Sequence, residues 1–154
     1  VLCHGVFDLV HPGHIRHLQA ASQLADVLIV TVTADRFVNK GPGRPVFTDR
    51  LRAENLAALE CVDYVAINDA PAAINVITQL EPDVYVKGTD YADAKNDATG
   101  MIVEEINAVE SRGGKVHFTD ELHMSSSQLL TAYFDAFRTE TRGWLAAHDV
   151  SPTA

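Results

Sequence analysis

The chain has 154 residues, 47% of them hydrophobic, and a formal net charge of −9. That is enough apolar sequence for one domain with an ordinary core, while so acidic a surface argues against a nucleic-acid backbone as partner. No apolar run approaches the length of a membrane span and no signal peptide is visible, so no membrane association and a cytoplasmic location are expected.

The first element in chain order is the apolar run "VLCHG" at 1–5, a strand that already begins at Val1, as though the chain were cut from a longer one. Further strands are expected at "DVLIVTVT" (26–33), "VDYVAI" (62–67), "DVYVKG" (83–88) and "KVHFT" (115–119). Helical patterns lie between them at about 12–24, 48–60, 71–80 and 98–112, with two more at about 125–137 and 139–148. Pro82 and the "RGGK" at 112–115 punctuate helix ends. Strands alternating with helices define an α/β fold, a doubly wound parallel sheet of about five strands with helices on both faces. Cys3 and Cys61 form no CxxC pair and sit in or beside the strand-like segments, as reduced, packed thiols do. The expected organisation is one domain over 1–137, then a C-terminal helix and a polar tail or linker over 138–154.

In such sheets ligands bind beyond the carboxyl ends of the strands. "GVFDLVHPGH", "VTADRFVNKG" and "VKGTDY" each follow a strand, so all three converge on that edge. Proline suits the first position of a helix, which makes Pro12 the start of the first helix, with His11 near its cap and His14 in its first turn. Free N–H groups and the positive end of the helix dipole there favour an anion. Gly5 and Gly13 let a ligand approach the main chain. Positive charge is concentrated in "DRFVNKGPGRPVFTDRLR", which holds Arg36, Lys40, Arg44, Arg50 and Arg52. On an acidic chain this fits a small anionic ligand, or simply a solvated basic loop. Cys3, His4, His11, His14 and His17 look like metal ligands, but neighbouring strand residues point to opposite faces and one helix face holds at most His14 and His17. A closed zinc site is therefore hard to build.

These segments resemble one family. "GVFDLVHPGH" is similar to the GxFDxxHxGH signature of the cytidylyltransferase-like nucleotidyltransferases, whose fold is Rossmann-like, and "MSSSQLL" (124–130) resembles the segment that opens a late helix in them. "VKGTDY" (86–91) looks like the VKGGDY segment of heptose-phosphate adenylyltransferases, and "KGPGRPV" (40–46) echoes the same branch, although Thr89 replaces a glycine. "RLRAENLAALECVD" aligns with the helix whose first-turn arginine meets the triphosphate, which puts Arg52 in that role. "DELH" at 120–123 replaces the R-T-E-G run of glycerol-3-phosphate cytidylyltransferases and argues against that acceptor.

The resemblance implies joining of a nucleoside triphosphate to a phosphorylated acceptor with release of pyrophosphate. It implies that His11 and His14 hold the nucleotide phosphates, His14 at the α-phosphate, with main-chain groups of Gly5, Val6, Phe7 and Gly13 around the same site. Lys40 and Arg52 would neutralise the β- and γ-phosphates. Ser125, Ser126 and Ser127 would present hydroxyls to the triphosphate while capping the late helix. Gly88, Asp90, Tyr91 and Met124 would lie by the ribose and base, and Asp8 and Lys87 would face the acceptor. Plain readings stand beside these: a simple turn for "GTDY", a cap for the serines, a solvated charge for Lys87. Mg²⁺ would come bound mainly through the phosphates. The breadth of the family, and a branch that activates 2-hydroxyethylphosphonate, favour CTP; the heptose branch favours ATP. A homodimer and fusion to a second catalytic domain both fit the family.

Overall fold

β1 (Leu2–Gly5) is the centre of the sheet, and its first three residues are buried. The computed structural model describes residues 1–89, 100–120, 143 and 147. The other strands are β2 (Ile29–Thr33), β3 (Tyr64–Asn68), β4 (Val84–Gly88) and β5 (Lys115–Thr119). They form one sheet in the order β3-β2-β1-β4-β5, and every pairing is parallel. Leu2 stands beside Ile29 on one side and Tyr85 on the other. The strand order reverses direction at β1, so a crevice opens between the ends of β1 and β4.

The helices are α1 (Pro12–Ser22), α2 (Asp49–Ala57), α3 (Ile74–Leu80) and α4 (Ile102–Glu110). Side chains alternate along each strand, so two apolar layers form. Cys3, Val30, Val32 and Val86 pack with Leu18 and Ala21 of α1 and Leu56 of α2. On the opposite face Leu2 and Tyr85 pack with Ile77 of α3 and Val109 of α4. This second layer has a polar knot: Glu105 accepts from the Ala73 N–H at 2.8 Å and the Tyr85 hydroxyl at 2.9 Å, and its carboxylate lies 3.1 Å from the Lys87 ammonium. A Cβ at Gly114 would lie 2.4 Å from the Pro82 carbonyl oxygen, so only glycine lets the chain turn from α4 into β5 there.

Every expected strand forms, and β5 has the expected limits. The helices are shorter than their periodic patterns: α2 stops at Ala57 and α4 starts at Ile102. A single 3₁₀ turn, Asp35–Phe37, follows β2, where no residue pattern announces one. The two late helices, and with them the boundary at 137, lie outside the described residues.

Candidate active site

Pro12 does open α1, and His11 is its cap. The His11 Nδ1 accepts the His14 N–H at 3.3 Å. An imidazole that accepts at Nδ1 and stays neutral carries its proton on Nε2. That Nε2 is buried and has no hydrogen-bond partner among the described residues, so a donor is held ready at the helix N-terminus. The His14 ring stacks on the His11 ring, centroids 3.7 Å apart and planes 20° from parallel, and the Phe7 ring meets it edge-on at 5.2 Å. Burial, then the neighbouring His11, Lys40 and His17, push the His14 pKa down to about 3. Burial and Lys40 lower that of His11 as well. Both rings are therefore neutral donors near pH 7, in a positive environment that an anion would relieve.

Lys40 is half-buried on the loop after β2. Burial and the charges of Arg44 and Arg52 lower its pKa, while Asp8 opposes them. Lys40 in turn lowers the pKa of both His11 and His14, so the charge of the basic loop is felt at the helix N-terminus. The other cations of that stretch divide. Arg36 and Arg50 are exposed and pair with Asp69 and Glu54. Arg44 is buried against Asp8.

Two residues expected to touch substrate are placed differently. Asp8 is 1% exposed. One of its oxygens binds Arg44 and the other accepts the Val46 and Phe47 N–H groups at 2.8 and 3.1 Å. It fastens the basic loop to the β1–α1 turn, with both carboxylate oxygens engaged by that loop. Arg52 is 0% exposed. Its guanidinium donates to the carbonyls of Val6 (2.6 Å), Thr33 (2.7 Å) and Phe47 (3.0 Å) and to Asp35 (2.8 Å). In this arrangement it braces the floor of the site and does not present a free charge to a triphosphate. The resemblance that singled out Arg52 gave no sign that three main-chain carbonyls wait there.

Lys87, at the end of β4, is 9% exposed and held by Glu105, and Gly88 closes the strand beside the crevice. Sequence reading gave no role to His4 or His17, both buried enough to push their pKa down to about 4. The His4 ring lies 2.9 Å from the Thr31 hydroxyl, and the His17 ring 2.6 Å from that of Thr119. Thr31 and Thr119 are ordinary strand residues in sequence, so these pairings had no sequence signal. Asp90, Tyr91, Met124, Ser125, Ser126 and Ser127 lie outside the described residues.

The strand order and the helix N-terminus beside the switch point put the chain among the α/β folds that take nucleotides at the sheet edge. Residues 2–132 match the cytidylyltransferase-like family, and the chain belongs to it. It is 40% identical over 122 residues to the bifunctional protein HldE of Syntrophotalea carbinolica, covering 78% of this chain and 24% of that one. With the HldE of Rhodopseudomonas palustris strain HaA2 the identity is 45% over 120 residues, covering 77% and 23%. The chain thus spans about a quarter of the length of these curated relatives. Among solved structures, the lipopolysaccharide core biosynthesis protein of Thermoplasma volcanium superposes with a TM-score of 0.62 at 22% identity, covering 79% of this chain and 96% of that one. The pantothenate synthetase of Thermus thermophilus gives 0.57 at 13% identity, with 93% and 63% covered. Both share the fold.

Proposed function

We propose that this domain transfers AMP from ATP to the phosphate of a small sugar phosphate of the heptose-phosphate kind, releasing pyrophosphate. Membership of the nucleotidyltransferase family supports the reaction class. The observation that carries the choice of nucleotide is the 40–45% identity to HldE proteins. It moves the preference away from CTP and a phosphonate acceptor, which the breadth of the family had favoured, and towards the heptose branch. The word "bifunctional" in the relatives' names supports a second domain in a longer chain.

An acceptor phosphate is largely ionised near pH 7 and needs no general base. Its oxygen forms the new bond to the α-phosphorus as the bond to the β-phosphate breaks, and pyrophosphate leaves with the electron pair. What remains for the protein is to hold the groups in line and to stabilise charge on the α-phosphate and the leaving group. His11 Nε2–H, His14 and the N-terminus of α1 serve the α-phosphate, and Lys40 the leaving pyrophosphate. Ser125, Ser126 and Ser127 would complete the triphosphate site. Gly88, Asp90, Tyr91 and Met124 are assigned to the nucleoside. Lys87 stays a candidate for the acceptor only through its place at the end of β4.

Mg²⁺ bound to the phosphates would add charge neutralisation. No cluster of three or more His, Cys, Asp or Glu able to hold a metal occurs among the described residues. Pyrophosphate release with ATP or CTP, each offered heptose 1-phosphate or 2-hydroxyethylphosphonate, tests the proposal. ATP with the sugar phosphate should be the active pair. Turnover of CTP with the phosphonate alone would restore the cytidylyl reading. Nucleotide binding without release in any combination would make the domain a binding module.

A further inference from the structure

We propose that Arg52 is a positioning residue that acts on the reaction through the Val6–Phe7 peptide and the Phe7 ring, without touching the nucleotide. Its guanidinium ties three stretches of main chain, donating to Val6 after β1, to Thr33 at the end of β2 and to Phe47 before α2, with Asp35 as the partner charge. Reaching a phosphate would mean breaking several of these bonds from a position with no exposed surface.

The Val6 carbonyl is the informative partner. The Val6–Phe7 peptide is trans, since Arg44–Pro45 is the sole cis bond among the described residues, and in a trans peptide the N–H points opposite to the carbonyl. Arg52 draws the carbonyl inward, so the Phe7 N–H is aimed away from the guanidinium. No hydrogen bond among the described residues uses that N–H. Phe7 has a φ of +48°, a region that a bulky side chain occupies only when its surroundings enforce it. The enforcement comes from the Arg52 bond on one side and the buried ring on the other.

The ring packs edge-on against His14 at 5.2 Å. It also fills the space over Gly5, where a Cβ would lie 3.1 Å from it. A continuous set of contacts therefore runs from Arg52 through Val6 and Phe7 to His14. The inference rests on the nucleotidyl-transfer reading only for the identity of the anion that meets the Phe7 N–H and His14.

The test uses Arg52→Lys in the full chain, with Asp35→Asn measured alongside as a gentler loosening of the same anchor. Without nucleotide, the Phe7 amide and His14 ring resonances should move in both variants, more in Arg52→Lys, while those of Ile77 and Val109 across the sheet stay in place. Affinities for ATP and AMP, measured calorimetrically, should then fall by a similar factor, on the order of tenfold for loss of a charged hydrogen bond. Unmoved Phe7 and His14 resonances in the folded variants would overturn the proposal. So would a loss confined to ATP, the signature of direct contact with the outer phosphates. If Arg52→Lys does not fold, unmoved resonances in Asp35→Asn overturn it alone. If the wild-type chain binds neither nucleotide, the functional reading fails while the resonances still decide the role of Arg52.

Discussion

His11 and His14 lie face to face with their ring centroids 3.7 Å apart, and the His11 ring also accepts the His14 main-chain N–H. A stack that close cannot hold two cations without strong repulsion. The pair is built to be neutral when empty and to donate, or take up one proton, when an anion arrives.

His14→Ala should lower turnover by on the order of a hundredfold, the scale seen when one donor to a developing oxyanion is removed. Circular dichroism should be unchanged, because His14 lies in the first turn of α1 and meets the apolar layer at its edge, against the Phe7 ring. Near-normal turnover with chemistry rate-limiting would remove His14 from the α-phosphate.

Acid should destabilise the fold through its histidines. The folded-state pKa values of His4 and His17 are lowered to about 4 and that of His14 to about 3, from an ordinary 6.5. Their contribution is complete above pH 6.5. Below it the unfolded chain takes up protons that the folded chain does not, so stability falls as pH drops from 6.5 towards 4. Each such histidine adds at most about 1.4 kcal/mol per pH unit. Urea midpoints at pH 7.5, 6.5, 5.5 and 4.5 measure the slope, and His14→Asn should flatten it. A midpoint that does not fall between pH 6.5 and 4.5 contradicts the burial of these rings.

Asp8→Asn takes the counter-charge from the buried Arg44. Breaking such a pair by removing one partner should cost about 3 kcal/mol in urea unfolding. Nucleotide affinity should fall too, because the loop carrying Lys40 is fastened through Asp8. If stability is lost with affinity intact, the fastening does not matter to Lys40.

Gly5→Ala asks the Phe7 ring to shift by a few tenths of an ångström, since the new methyl would come within 3.1 Å of it. Turnover should fall more than stability, as the ring rests on His14. A variant with wild-type turnover would show that the ring does not position His14.

The sheet was legible because its strands are short, β-branched runs separated by helix-length segments, and a buried parallel strand has few other ways to be written. Pro12 and His11 were legible for a similar reason: the start of a helix has its own residue chemistry. Asp8 and Arg52 also stand at this edge of the sheet, but the partners they have within the protein were not legible. A buried ion pair such as Asp8–Arg44 joins residues 36 apart in sequence, and nothing local announces it. The carbonyls that hold Arg52 come from three separate stretches of main chain, one of them the end of β2, and meet only once the sheet has assembled. Charged residues in a motif signal that charge is needed there, without saying whether ligand or main chain receives it.

Attack of an acceptor phosphate on the α-phosphorus of ATP, at the N-terminus of α1, is the step on which the proposed function stands. It is tested most directly by supplying heptose 1-phosphate with ¹⁸O in its phosphate and following the products by ³¹P NMR. The label should stay in the sugar-nucleotide, including its new bridging oxygen, and the pyrophosphate should carry none. Label in the pyrophosphate, or no labelled sugar-nucleotide despite pyrophosphate release, would contradict it.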